Sequence, residues 1–93
     1  MYYIVFGIDA EAWSTRHIVN VAFLENTFNY LKEQLKHRGY LYLNDIYETL
    51  GVKWDPNKVN LCFRDEHDIE FEIVKVEALD YLIGIKHPEL EAL

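Results

Sequence analysis

Five carboxylates fall within eight residues: Asp65, Glu66, Asp68, Glu70 and Glu72. On a strand, alternate side chains share a face, so Glu70 and Glu72 would stand about 6–7 Å apart on one side. That separation is close to the phosphate spacing along a nucleic-acid strand. One chemistry open to such a row is imitation of phosphates, docking on the basic groove of a nucleic-acid-binding protein. The plainer reading is a solvated strand face and loop tip, whose charges keep a sheet edge from aggregating.

Other chemistry finds less support in the residue types. His67 lies among Asp65, Glu66 and Asp68, with Cys62 five residues earlier, but this spacing matches no established metal-ligand pattern. With a single cysteine, a zinc site of four cysteines, or of two cysteines and two histidines, is excluded. Ser14 is the only serine and has no GxSxG around it. Cys62, between Leu61 and Phe63, reads as a packed thiol with no basic cluster beside it. The four glycines are isolated, so neither a Walker loop nor a GxGxxG turn is present. A chain of 93 residues offers little depth for the cleft that perturbs a catalytic carboxylate. No catalytic residue, metal or cofactor is expected. His17, His37 and His87 read as surface or helix-end histidines.

The balance of charge narrows the choice of partner. The net charge is −7. Residues 1–39 carry four acids and four bases, and residues 40–93 carry twelve acids and five bases, so the excess lies wholly in the later part. Such a surface repels a phosphate backbone and attracts a basic partner. A DNA-binding reading still has the right order of elements. A short helix from Asn44 to Leu50, Gly51, and a helix from Pro56 to Leu61 would make a helix-turn-helix, with Asn57, Lys58, Asn60 and Arg64 reaching a groove. Only Lys53, Lys58 and Arg64 supply positive charge there.

These residues need elements to hold them. Half the residues are hydrophobic and 15% are aromatic, which suffices for one small domain, residues 1–93, and excludes disorder by composition. A chain of this size buries only about 60–65% of its unfolded surface, so modest stability is expected unless a partner helps. Tyr2 to Ile8 is aromatic and β-branched and reads as a strand. Apolar groups on both of its faces predict a place inside the sheet or cover on both sides. Val21, Leu24, Phe28, Leu31 and Leu35, spaced 3-4-3-4, predict a helix over about 19–37. Lys32, Lys36 and Arg38 favour its C-terminal dipole, and Gly39 suits the left-handed residue beyond it. Ser14 or Asn20 would cap its start, with Ala10 to His17 loop or extended.

Tyr40 to Leu43 reads as a short extended piece, followed by a two-turn helix with Asn44 as cap and Gly51 as stop. Asp55-Pro56 reads either as a turn or as the start of a third helix. Arg64 to Asp68 reads as a loop or hairpin tip, and Ile69 to Val76 as a strand. The apolar phase flips from Ile69, Phe71 and Ile73 to Val74 and Val76, which predicts a β-bulge near Ile73-Val74. Tyr81 to Ile85 reads as a further strand, with Glu77 to Leu82 open to a helical reading. The fold class expected is α+β: a small antiparallel sheet of three or four strands packed with one long and one short helix.

The stretch Arg38-Gly39-Tyr40-Leu41-Tyr42-Leu43-Asn44-Asp45-Ile46-Tyr47-Glu48-Thr49-Leu50-Gly51-Val52 resembles a segment of small proteins from bacteriophages and prophages of Gram-positive bacteria. Those proteins share an RG-hydrophobic-LN-[DE]-hydrophobic-Y-x-x-LG core. The resemblance covers roughly residues 38–64. After the LG pair those proteins carry Arg or Ser/Thr and then Gly-Trp, where this chain has Trp54-Asp55-Pro56 and Cys62-Phe63. The resemblance implies a phage accessory protein and no catalytic residue.

Together these readings give a non-catalytic protein-binding chain. The expected partner is a protein with a basic surface, for example a CRISPR nuclease whose nucleic-acid groove the acids would occlude. Asp65, Glu66, Asp68, Glu70 and Glu72 would bind it, with tyrosine or tryptophan rings supplying the less salt-sensitive contacts. The other readings are a virion or morphogenesis protein that self-associates, homodimer included, and the DNA-binding regulator. One unpaired thiol suits a reducing cytoplasm. The start has no basic region and too short an apolar run for a signal peptide, and no stretch reaches membrane-spanning length.

Overall fold

The computed structural model describes residues 1–53, 61–64 and 68–88. In chain order its elements are β1 (Tyr2–Phe6), α1 (His17–Arg38), β2 (Tyr40–Tyr42), α2 (Leu43–Leu50), β3 (Cys62–Arg64), β4 (Glu70–Glu77) and β5 (Asp80–Lys86). The fold is α+β. A three-stranded antiparallel sheet runs β1-β5-β4, and β2 pairs with β3 in a separate two-stranded sheet.

The central strand is β5, and this corrects the expectation for β1. Tyr2 pairs with Ile85 and Phe6 with Tyr81 on one side of β5, while Phe71 pairs with Ile85 and Ile73 with Ile83 on the other. β1 therefore lies at the end of the strand order. Its alternation is resolved by burial: Ile4 and Phe6 are buried, whereas Tyr3 and Val5 are exposed. The apolar pattern on both faces was a correct observation with a different cause, because the second face is left open.

The inner face carries the core. Ile4, Phe6, Tyr81, Ile83 and Ile85 pack against the stripe of α1 formed by Leu24, Phe28, Leu31 and Leu35. Phe6 stacks on Phe23 with centroids 5.4 Å apart, and Phe28 on Phe71 at 5.3 Å. Burying a side chain of this size contributes about 1.5–3 kcal/mol, and the same core continues through Leu41, Leu43, Ile46, Leu50 and Phe63 of β2, α2 and β3.

Both helix C-termini end on glycine with positive φ, Gly39 at 77° and Gly51 at 70°, where a Cβ would be strained. The N-termini differ from expectation. Arg16 is the residue before α1 and its side chain makes no cap bond. Asn20 instead lies buried in the first turns. Its Oδ1 accepts from the Ser14 N–H at 2.8 Å, and its Nδ2 donates to the Ser14 carbonyl at 2.7 Å and to Tyr81 Oη at 3.2 Å. It pins the entering loop to β5. Asn44 falls inside α2, and Asp45 does the capping, its Oδ2 accepting from the Tyr42 N–H at 3.0 Å.

The bulge falls between Ile73 and Lys75, where the register with β5 shifts. Glu77 pairs with Asp80 across a tight turn through Ala78 and Leu79, which rules out the helical reading of this stretch. Ala78 takes a φ of 54°. The Asp55-Pro56 turn or helix lies outside the described residues.

Candidate functional site

β-pairing lays the outer face of the three-stranded sheet out in rows. Lys86 stands beside Glu70, Tyr3 and Glu72 flank Gly84, and Val5 and Lys75 flank Leu82. The next row holds Asp80 beside Glu77. Glu70 and Glu72 thus share one open face, as their spacing predicted. Both are exposed, as is Asp68 just before β4. Among the described residues none of Asp68, Glu70 and Glu72 forms an ion pair. Asp65, Glu66 and His67 lie outside the described residues.

The carboxylates of the later part are not all in this place. Asp45 sits on α2, 3.4 Å from Arg38 Nη2, and the Arg38 guanidinium also lies 4.5 Å over the Tyr40 ring. Glu77 Oε2 is 2.9 Å from Lys75 Nζ at the hairpin end of β4. Glu48 is exposed on α2. The concavity next to Glu70 and Glu72, about 390 Å³, is lined by Met1, Phe71, Lys32 and Lys86 as well. Two lysines therefore share the carboxylates' neighbourhood, so the formal charge around this concavity balances, although neither lysine is ion-paired with Glu70 or Glu72.

Apolar groups share the face. Tyr3 and Val5 are each 52% exposed, and Val74 44%. Gly84 makes room for them: a Cβ there would come within 2.7 Å of both Met1 Sδ and Val74 Cγ2. Met1 from one edge and Val74 from the other thus close over the bare backbone of the central strand. Past this ridge lies a second concavity of about 500 Å³, lined by Val5, Leu82, Lys75, Glu77, Ala78 and Asp80. β4 and β5 form one hairpin, but Val5 and Tyr3 come from β1 at the other end of the chain, so no local spacing announces the whole set. The one available signal was Tyr3 and Val5, apolar on a strand whose other face was apolar already.

The remaining chemical residues occupy structural positions. Ser14 Oγ accepts from the Arg16 N–H at 3.1 Å. Cys62 is half-buried on β3, a free thiol. His37 ends α1 in the open, with Nε2 3.4 Å from Glu33 Oε2. His17 is exposed and its Nδ1 lies 2.7 Å from Tyr81 Oη. His87 corrects the expectation of a surface histidine. It is 1% exposed and packs on Phe63 at 4.9 Å, because the end of β5 passes under β3. Among the described residues no three His, Cys, Asp or Glu side chains gather as a metal site would require. Tyr2 and Tyr47 join β1 to α2 through their hydroxyls at 2.8 Å. Burial first, and the bond to Tyr2 second, push the Tyr47 phenol well above its ordinary value.

No protein-family model, curated protein or solved structure matches the chain. Among the described residues no helix is long and apolar enough to cross a membrane.

Proposed function

We propose that this chain is a non-catalytic protein-binding protein whose partner presents a basic surface. The observation that carries the reading is the placement of Glu70 and Glu72, side by side on an exposed sheet face and free of ion pairs among the described residues. Two carboxylates on alternate residues of one strand offer lysine and arginine side chains the charge pattern of a short run of phosphates. Asp68 extends the row, and Asp65 and Glu66 adjoin it in sequence. Binding of this kind occludes a nucleic-acid groove competitively, with an on-rate that falls as salt rises.

The setting follows from the likeness of residues 38–52 to phage and prophage proteins. An anti-defence inhibitor acting in the host cytoplasm, on a CRISPR nuclease or another nuclease with a basic groove, is the concrete form of the reading. The test is capture of proteins from a Gram-positive lysate on the immobilised chain, followed by elution with a nucleic-acid oligomer. The reading requires a retained protein that the oligomer releases. A retained protein indifferent to the oligomer would refute occlusion.

A further inference from the structure

The concavity on the far side of the Met1–Val74 ridge has a chemical character of its own. Val5 and Leu82 form its floor, on neighbouring strands in direct register. Lys75, Glu77 and Asp80 stand around it. Lys75 is engaged with Glu77 at 2.9 Å, whereas Asp80 has no ion pair among the described residues. The Asp80 carboxylate lies over Gly7, where a Cβ would run into it. An apolar floor with an anion at its rim matches a side chain that has an aliphatic stem and a cationic head.

We infer that the outer face of the β1-β5-β4 sheet docks an extended segment of a partner protein that carries apolar and basic side chains together on one face, at every second residue. One lysine or arginine stem lies over Val5 and Leu82 with its head at Asp80, and neighbouring apolar side chains cover Tyr3 and Val74. Charge decides between this occupant and a second copy of the chain. The face carries Glu70, Glu72, Glu77 and Asp80 against Lys75 and Lys86, with Lys32 at its edge, so its balance stays negative and two copies would bring like-charged surfaces together. A basic segment meets the same face with opposite sign. The inference rests on the reading that the partner is basic, and it adds where the salt-insensitive part of the contact comes from.

Two synthetic octapeptides of equal charge test it, a Leu–Arg peptide, Leu-Ser-Arg-Ser-Leu-Ser-Arg-Ser, whose leucines and arginines share one face when extended, and a Ser–Arg peptide with serine in place of each leucine. Affinity is measured by titration, and the contact is mapped by amide chemical shifts on the full chain. The Leu–Arg peptide should bind at least about tenfold tighter, since its leucines add apolar burial over Tyr3 and Val74 to that of the arginine stems the two peptides share. Its shifts should centre on Val5, Asp80 and Leu82. Val5→Thr and Asp80→Asn, both mild changes at exposed sites, should each weaken it at least about threefold, a loss of roughly 0.65 kcal/mol.

Equal affinity of the two peptides, or shifts centred elsewhere, would overturn the docking site. If that equal binding still vanished in Glu70→Lys/Glu72→Lys, the charge-driven reading would stand alone. Binding of the Leu–Arg peptide at Val5 and Leu82 that ignored the double reversal would uphold the docking site and sink the role given to Glu70 and Glu72. A dimer in sedimentation that Val5→Lys dissolves would assign the face to a second copy instead.

Discussion

The two faces of the three-stranded sheet both carry aromatic and β-branched residues, yet these end in opposite states. Inside, Ile4, Phe6, Ile83 and Ile85 are buried under α1, and each has one way to pack. Outside, Tyr3, Val5 and Val74 stay half in water beside Glu70 and Glu72. Hydrophobic burial stabilises the first face, and among the described residues no element covers the second. A large contiguous apolar patch with a charged border marks an interaction surface, which is the reading proposed for this face. The comparison teaches that an apolar alternation records which residues avoid water in some state of the molecule, whether folded alone or bound.

The largest expected effect separates the faces directly. Ile83→Ala should cost about 2–5 kcal/mol, because it empties a packed site. Val5→Ala, on the other face, should cost less than about 1 kcal/mol. Urea denaturation measures both, and equal losses would mean that the outer face is structural after all. Gly84→Ala comes next at about 1–3 kcal/mol, since its Cβ would meet Met1 and Val74. Adding Val74→Ala should return part of that loss, and strict additivity would deny the ridge.

At the hairpin, Ala78→Gly should stabilise by about 0.5–1 kcal/mol, because the positive φ strains a residue with a Cβ. A loss in thermal unfolding would contradict it. The last effect is silent at neutral pH. Tyr47 is an acid whose value rises on folding, so its contribution is complete below the unfolded phenol's value of about 10. It is lost as the pH climbs from there toward the folded value. Stability measured from pH 8 to 11 should therefore decline above about pH 10, and Tyr47→Phe should flatten that decline.

Much of the inner face was legible in the residue pattern. The 3-4-3-4 spacing of α1 and the glycines after both helices report local geometry, which a chain carries in short windows. The phase flip at Ile73-Val74 announced the bulge for the same reason. Asn20 and His87 were not legible, since one buried polar residue leaves no periodic trace and its burial is decided by a distant strand. β1 was placed inside the sheet because an open apolar face and a covered one look alike in sequence. At the site, the Glu70 and Glu72 pair followed from strand alternation alone. Val5, Leu82 and Lys86 joined it only through register across β5, which no local pattern contains.

The central claim is that the exposed carboxylates of β4 are recognised by a basic partner. Its most direct test is retention of lysate proteins by the immobilised wild-type chain and by Glu70→Lys/Glu72→Lys, each at low and high salt. The account predicts a protein held by the wild type at low salt, released at high salt and absent from the reversed variant. Equal retention by both chains at both salt concentrations would contradict it.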